Sequence, residues 1–127
     1  MKACPRAAGV AVMVIVLALA GCEESAIPQG MRIIDGNPER GALLIREYGC
    51  PTCHTIPGIR SANGIVGPPL DRFALRAFIA GRHANTPDNL VHWIMDAPDM
   101  APHTAMPDMG ISEDQARHIA AYLYTLR

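Results

Sequence analysis

The sequence predicts an all-α domain of three to five short helices, preceded by a signal segment and a tether. Helix-start signals recur at Asn37-Pro38, Thr86-Pro87 and Ser112-x-x-Gln115, and apolar residues follow each start at helical spacing. No stretch alternating polar and apolar residues at any length competes with them. A chain of 127 residues has room for one small domain. Half of it is hydrophobic but only 5% aromatic, so a large self-sufficient aromatic core is not expected. Eleven basic against twelve acidic side chains give a formal charge of −1. This near-neutral balance argues against a nucleic-acid binder, which carries a basic patch or stripe.

The first 22 residues read as an address. Lys2 and Arg6 form a short basic start, followed by the apolar run Val10–Ala20. Eleven apolar residues suit the hydrophobic region of a secretory signal, whereas a spanning helix needs about 20. The run closes on Leu19-Ala20-Gly21-Cys22, which resembles the bacterial lipoprotein signal, cut before a cysteine that is then acylated. Residues 1–21 are therefore expected to leave and Cys22 to carry the lipid. The alternatives are an ordinary signal with a stray cysteine, or an uncleaved N-terminal anchor. Glu23–Gly36 has no clear periodicity and carries Pro, Gly and charges, so residues 22–36 are expected to be a flexible, lipid-anchored tether. Its fourteen residues after Cys22 reach about 45–50 Å when fully extended. The globular domain is expected over 37–127, on the extracytoplasmic, periplasmic side of the membrane.

Cys50-Pro51-Thr52-Cys53-His54 is the C-x-x-C-H signature for covalent attachment of a c-type haem. Two thiols at this spacing add to the two vinyl groups of the porphyrin, and a histidine directly after the second lands beneath the iron. A thioredoxin-like dithiol would sit in a βαβ pattern, and none surrounds this motif. A zinc site would need two further ligands, but no second cysteine pair or clustered histidine pair is present. Secretion agrees with haem, because c-type attachment takes place outside the cytoplasm.

The remaining landmarks follow in order. Asn37 is an N-cap and Pro38 the first helical residue; Leu44, Ile45 and Tyr48 then share a face, and Gly49 ends the helix before Cys50. Gly67-Pro68-Pro69-Leu70 forms a loop 14 residues after His54. Thr86-Pro87-Asp88 opens a second helix running to about Asp96, with Leu90, Trp93 and Ile94 facing inward. Ser112 and Gln115 form a capping box at the start of a C-terminal helix, on which Ile119, Ala120, Leu123 and Leu126 make one stripe.

From Asn37 to Arg127 this pattern resembles a small monohaem c-type cytochrome of class I, with histidine–methionine ligation. The resemblance implies a fold of short helices wrapped around one covalently bound haem, with the N- and C-terminal helices crossing at Tyr122. It implies thioethers at Cys50 and Cys53, His54 as proximal iron ligand, and the Pro68 carbonyl accepting the ring N–H of His54. It places Trp93 beside the haem, although plain core packing explains that residue as well. Arg76, six residues after Leu70, stands where related proteins place an arginine near a haem propionate. Arg72, Arg82 or a simple solvated role for Arg76 are the alternatives.

The sixth ligand is expected to be Met106, because Thr104-Ala105-Met106-Pro107 resembles the family's ligand loop and lies between the second and the last helix. Met100 and Met109 remain candidates, with apolar loop packing as their ordinary role. Met95 falls on a helix and Met31 in the tether. His103 is a rival in the same loop, but three residues before a matched methionine it reads as solvated. His83, His92 and His118 lie beside polar or charged residues and read as surface histidines.

An iron with two protein ligands has no open position for a small-molecule substrate, so the expected role is electron transfer rather than catalysis. Seven arginines against four acidic residues lie between Met31 and His83, and two against six from Ala84 to Arg127. Such a dipole orients encounter with a redox partner. The resemblance implies a respiratory chain and a terminal haem–copper oxidase or related complex as partner. The competing classes are a haem sensor or small-molecule-binding protein with a labile sixth ligand, and a structural haem subunit of a larger complex.

Overall fold

The computed structural model describes residues 29–127. The signal segment, Cys22 and the first part of the expected tether lie outside them.

Among the described residues four α-helices carry the fold: α1 (Pro38–Glu47), α2 (Pro87–Met95), α3 (Ala97–Met100) and α4 (Glu113–Leu123). Their starts are set chemically. The Asn37 side chain accepts the Arg40 N–H at 2.6 Å, the Thr86 hydroxyl accepts that of Asn89 at 3.4 Å, and Ser112 and Gln115 form the reciprocal capping box. Gly49, at a φ of 70°, ends the first helix and turns the chain into a short 3₁₀ turn over Cys50–Thr52.

Among the described residues, α1 and α4 make the most extensive helix–helix packing. Leu44 and Ile45 of α1 are buried in the same core as Ala116, Ile119, Ala120 and Leu123 of α4. Each large apolar side chain buried here contributes about 1.5–3 kcal/mol. Gly41 allows the close approach, because a Cβ there would collide with the His118 carbonyl oxygen and lie 3.0 Å from the Tyr122 Cβ. The backbone N–H of Asn37 also donates to His118 Nδ1 at 3.0 Å, which pins the start of α1 to α4. The expectation of a surface histidine at 118 is thereby corrected: His118 is buried, with its Nε2 turned towards Asp114 Oδ2 at 3.5 Å. With Nδ1 accepting from Asn37, this contact is neither an ion pair nor a hydrogen bond, and the buried Nε2 has no hydrogen-bond partner.

Two further corrections concern the edges of the domain. The packed unit starts before Asn37, since Ile33 is buried in the core, Met31 packs against it and Gly36 abuts Ala121. The last residues of the expected tether thus belong to the domain. The C-terminal helix stops at Leu123, and Leu126 reaches the core from the turn beyond it, where its carbonyl accepts the Ala74 N–H at 3.0 Å.

Between the C-x-x-C-H segment and α2 the chain is irregular. It contains a 3₁₀ turn at Phe73–Leu75 and a two-residue antiparallel pair, β1 (Phe78–Ile79) with β2 (His83–Ala84). Asn85 ties this region together. Its amide donates to the carbonyls of Phe73 (3.1 Å) and Arg76 (3.0 Å), while its oxygen accepts the Tyr124 hydroxyl at 3.1 Å. Tyr124 has no exposed surface, and burial pushes its hydroxyl up to about 12.

Candidate haem site

The helices enclose one side of an apolar cleft of about 560 Å³. Cys50, Cys53, His54, Trp93, Met106 and Met109 all line it, together with core residues such as Ile45, Leu90 and Leu123. The first wall is built by the turn after α1. Cys53 and His54 N–H groups both donate to the Cys50 carbonyl, at 3.2 and 3.0 Å, so the two thiol-bearing residues and His54 lie on one compact turn. Burial pushes the Cys50 thiol up, its own backbone contact pulls it down, and the nearby Cys53 thiol raises it further.

A loop then folds back over this turn. Gly67 N–H donates to the Cys53 carbonyl at 2.8 Å, Leu70 N–H to that of Thr55 at 2.8 Å, and the Tyr122 hydroxyl to that of Pro57 at 2.6 Å. His54 Nδ1 lies 2.8 Å from the Pro68 carbonyl oxygen. A carbonyl only accepts, so Nδ1 carries the proton and Nε2 keeps its lone pair for a metal. Gly67 lies against the imidazole: a Cβ there would come within 2.6 Å of Nδ1.

Arg76 stands on the cleft wall, its guanidinium 5.4 Å from the Phe73 ring centre. It donates to the Pro69 carbonyl and, at 2.9 Å, to that of Asp71, and so braces the turn that holds His54. Arg72 and Arg82 are exposed and do not line the cleft.

The segment between α3 and α4 brings Met106 to the cleft, and its N–H donates to the Thr104 hydroxyl at 3.2 Å. Of the methionines weighed for ligation, Met106 and Met109 line the cleft, whereas Met100 ends α3 outside it. His103 is exposed and off the cleft, and His92 is exposed and paired with Asp99 at 3.0 Å. His83, expected at the surface, is half-buried with its ring 6.4 Å from that of Trp93.

The residues present fit a haem. The cleft is apolar and is lined by two thiols on one turn, an imidazole oriented by its outer nitrogen and the Met106 thioether from a separate segment. Among the described residues no group of three or more His, Cys, Asp or Glu side chains comes together as metal ligands, so a zinc site finds no further donors.

Helices closing over a cleft that presents thiols, imidazole and thioether define a c-type cytochrome, a protein that encloses haem for electron transfer. The chain belongs to the cytochrome c family, whose model matches residues 38–127. It is similar to cytochrome c oxidase subunit 2 of Alkalihalophilus pseudofirmus, 32% identical over 89 residues. The match covers 69% of this chain and 25% of that protein, so the chain spans about a quarter of the length of this relative.

Some contributors to the site and its frame were missed in the sequence: Gly41 and His118 at the helix crossing, and Asn85 beside the cleft. His118 had a usable signal. It precedes Tyr122 by four residues, and on a helix that spacing puts both on one face. Asn85 had none, since its three partners come from distant segments.

Proposed function

We propose that this chain is a lipid-anchored, extracytoplasmic cytochrome carrying one covalent haem c, and that it passes electrons in a respiratory chain towards a terminal haem–copper oxidase. The observation that carries the reading is the 2.8 Å approach of His54 Nδ1 to the Pro68 carbonyl, on a cleft that Met106 also lines. In this reading Cys50 and Cys53 form the thioethers, and His54 and Met106 are the axial ligands. Trp93 flanks the ring, and Arg76 faces a propionate while bracing the proximal turn.

When bound, the haem supplies reversible one-electron chemistry. The chain's own residues hold it in one geometry. The Pro68 carbonyl fixes the ring plane of His54 and raises its basicity. The apolar walls around Ile45, Leu90, Ile119 and Leu123 exclude water, which keeps reorganisation small. With both axial positions filled by the chain there is no place for a substrate, so no catalysis on a small molecule is proposed, and no nucleic-acid partner.

Membrane attachment rests on Leu19-Ala20-Gly21-Cys22, with Cys22 as the acylated residue. The similarity to an oxidase subunit supports a respiratory partner. Val66 and Phe78, both exposed, line the cleft and offer that partner an apolar rim. The same similarity also favours a second reading, a stable subunit of a larger complex. Co-purification with an oxidase after mild detergent extraction would select it.

The test is the absorption spectrum of the reduced, detergent-extracted protein with and without carbon monoxide. A sharp low-spin c-type spectrum unchanged by the gas is expected. A shift on adding carbon monoxide would overturn the electron-carrier reading in favour of a sensor with a labile sixth ligand.

A further inference from the structure

We propose that His83 is a positioning residue for the loop that carries Met106. This rests on the axial role of Met106 proposed above. The segment between α3 and α4 is irregular, and the hydrogen bonds within it are short-range. Thr104 N–H donates to the Ala101 carbonyl at 2.9 Å, Met106 N–H to the Thr104 hydroxyl at 3.2 Å, and Gly110 N–H to Asp108 Oδ1 at 2.8 Å. Such bonds set the loop's shape and leave its placement to the packing of its buried ends, Ala101 and Ile111, and to bonds from other segments.

His83 makes a contact of the other kind. Its Nε2 lies 3.1 Å from the Met100 carbonyl oxygen, 17 residues away in sequence, at the point where the chain leaves α3. The carbonyl can only accept, so Nε2–H is the donor. The imidazole is itself held: His83 pairs with Ile79 across β1 and β2, and its ring lies 6.4 Å from that of Trp93 at 39°. The next residue, Ala84, has its carbonyl bonded by the Asn89 side chain at 2.9 Å. Ile79 and Trp93 both line the cleft. His83 therefore joins the cleft wall to the start of the segment that carries Met106, six residues on. Fixing that point narrows the space the Met106 sulfur explores, and so favours the iron–sulfur bond over an open loop. Leu at this position would fill the half-buried site but donate nothing.

The experiment uses the holoprotein as wild type, His83→Leu and His83→Gln. It measures imidazole binding to the oxidised protein and the far-red absorption band of a methionine–iron bond, with thermal unfolding recorded alongside. His83→Leu is expected to weaken the band and tighten apparent imidazole binding about tenfold, the scale of one lost hydrogen bond. His83→Gln, which keeps an N–H donor, is expected to recover most of both. If the leucine variant yields no holoprotein, His83→Asn replaces it, because its amide stops short of the Met100 carbonyl. Imidazole affinity within about twofold of wild type, or an equal rise in the donor and non-donor variants, would overturn the proposal. A lower melting temperature with unchanged imidazole affinity would overturn it too, as a structural effect alone. A wild type that lacks the band overturns the axial assignment of Met106, and the role of His83 falls with it. Failure of the variants on a wild type with an intact band overturns the role of His83 alone.

Discussion

Gly41 and His118 meet backbone to backbone where α1 crosses α4, close enough that a methyl group on Gly41 would run into the His118 carbonyl oxygen. The crossing delivers Cys50 to the cleft, because the turn that carries it begins three residues after α1 ends. Gly41→Ala is therefore expected to destabilise the holoprotein by about 1–3 kcal/mol through overpacking. Leu43→Ala, on the exposed side of the same helix, is expected to stay within about 0.5 kcal/mol of wild type. Denaturant unfolding of both variants checks this, and equal losses would contradict the tight crossing.

Gly67 is the corresponding close approach at His54, the proposed iron ligand. A Cβ 2.6 Å from His54 Nδ1 must displace either the ring or the Pro68 carbonyl. Gly67→Ala is expected to weaken the hydrogen bond that makes His54 basic, and so to raise the reduction potential and lower the yield of holoprotein. Potentiometry of the purified variant reads the sign. An unchanged or lower potential would mean the Pro68 bond does not tune the iron.

Without haem the domain is expected to be largely unfolded. A cleft of about 560 Å³ lined by core residues cannot remain empty in a domain whose interior must pack densely. Far-ultraviolet circular dichroism of protein made without haem attachment checks this. A cooperative native-like melt would contradict it.

Burial raises the Tyr124 hydroxyl to about 12 in the folded state, against about 10 when the chain is unfolded. The folded state then holds the proton more tightly. The resulting stability is complete below about pH 10 and is lost as pH rises through about 12. Tyr124→Phe is expected to flatten the decline in that window, though not to abolish it, since burial also raises Tyr122. It also loses the bond to Asn85, so its stability at neutral pH is expected to fall by about 0.5–1.5 kcal/mol. Denaturant titrations between pH 8 and pH 12 check both, about two units either side of the ordinary tyrosine value.

The part of the chain from Ala84 to Arg127, which bears Met106, holds six acidic residues against two arginines. Docking of this acidic side on a basic patch of the redox partner is expected to make electron-transfer rates fall as salt rises. Stopped-flow rates with a purified oxidase at several ionic strengths test it. Rates flat in salt would remove the electrostatic contribution.

Much of the fold and the site could be read from residues that act on near neighbours. Asn37, Thr86 and Ser112 cap helices within three residues of themselves, and the cysteines and His54 lie on one turn. Pro68 could be named because Gly67-Pro68-Pro69-Leu70 resembles the family's loop, and the structure puts its carbonyl at the ring nitrogen. Among the methionines, Met100 drops away from the cleft and Met109 does not, a distinction that spacing in one short loop leaves open.

What local chemistry could not supply concerns partners brought together from far apart. His118 reads as polar beside Arg117, yet it is buried because α1 lies over it and Asn37, 81 residues earlier, donates to its ring. Ile33 reads as tether, yet α4 gives it a core to enter. Asn85 gains its three bonds, and His83 its hold on Met100, from segments that meet only in the folded chain. Caps, turns and thiol spacing are settled by bonds that close over a few residues, and these are written in the order of the amino acids. Burial and long-range hydrogen bonds depend on which surfaces the packed helices bring face to face, and no single segment carries that information.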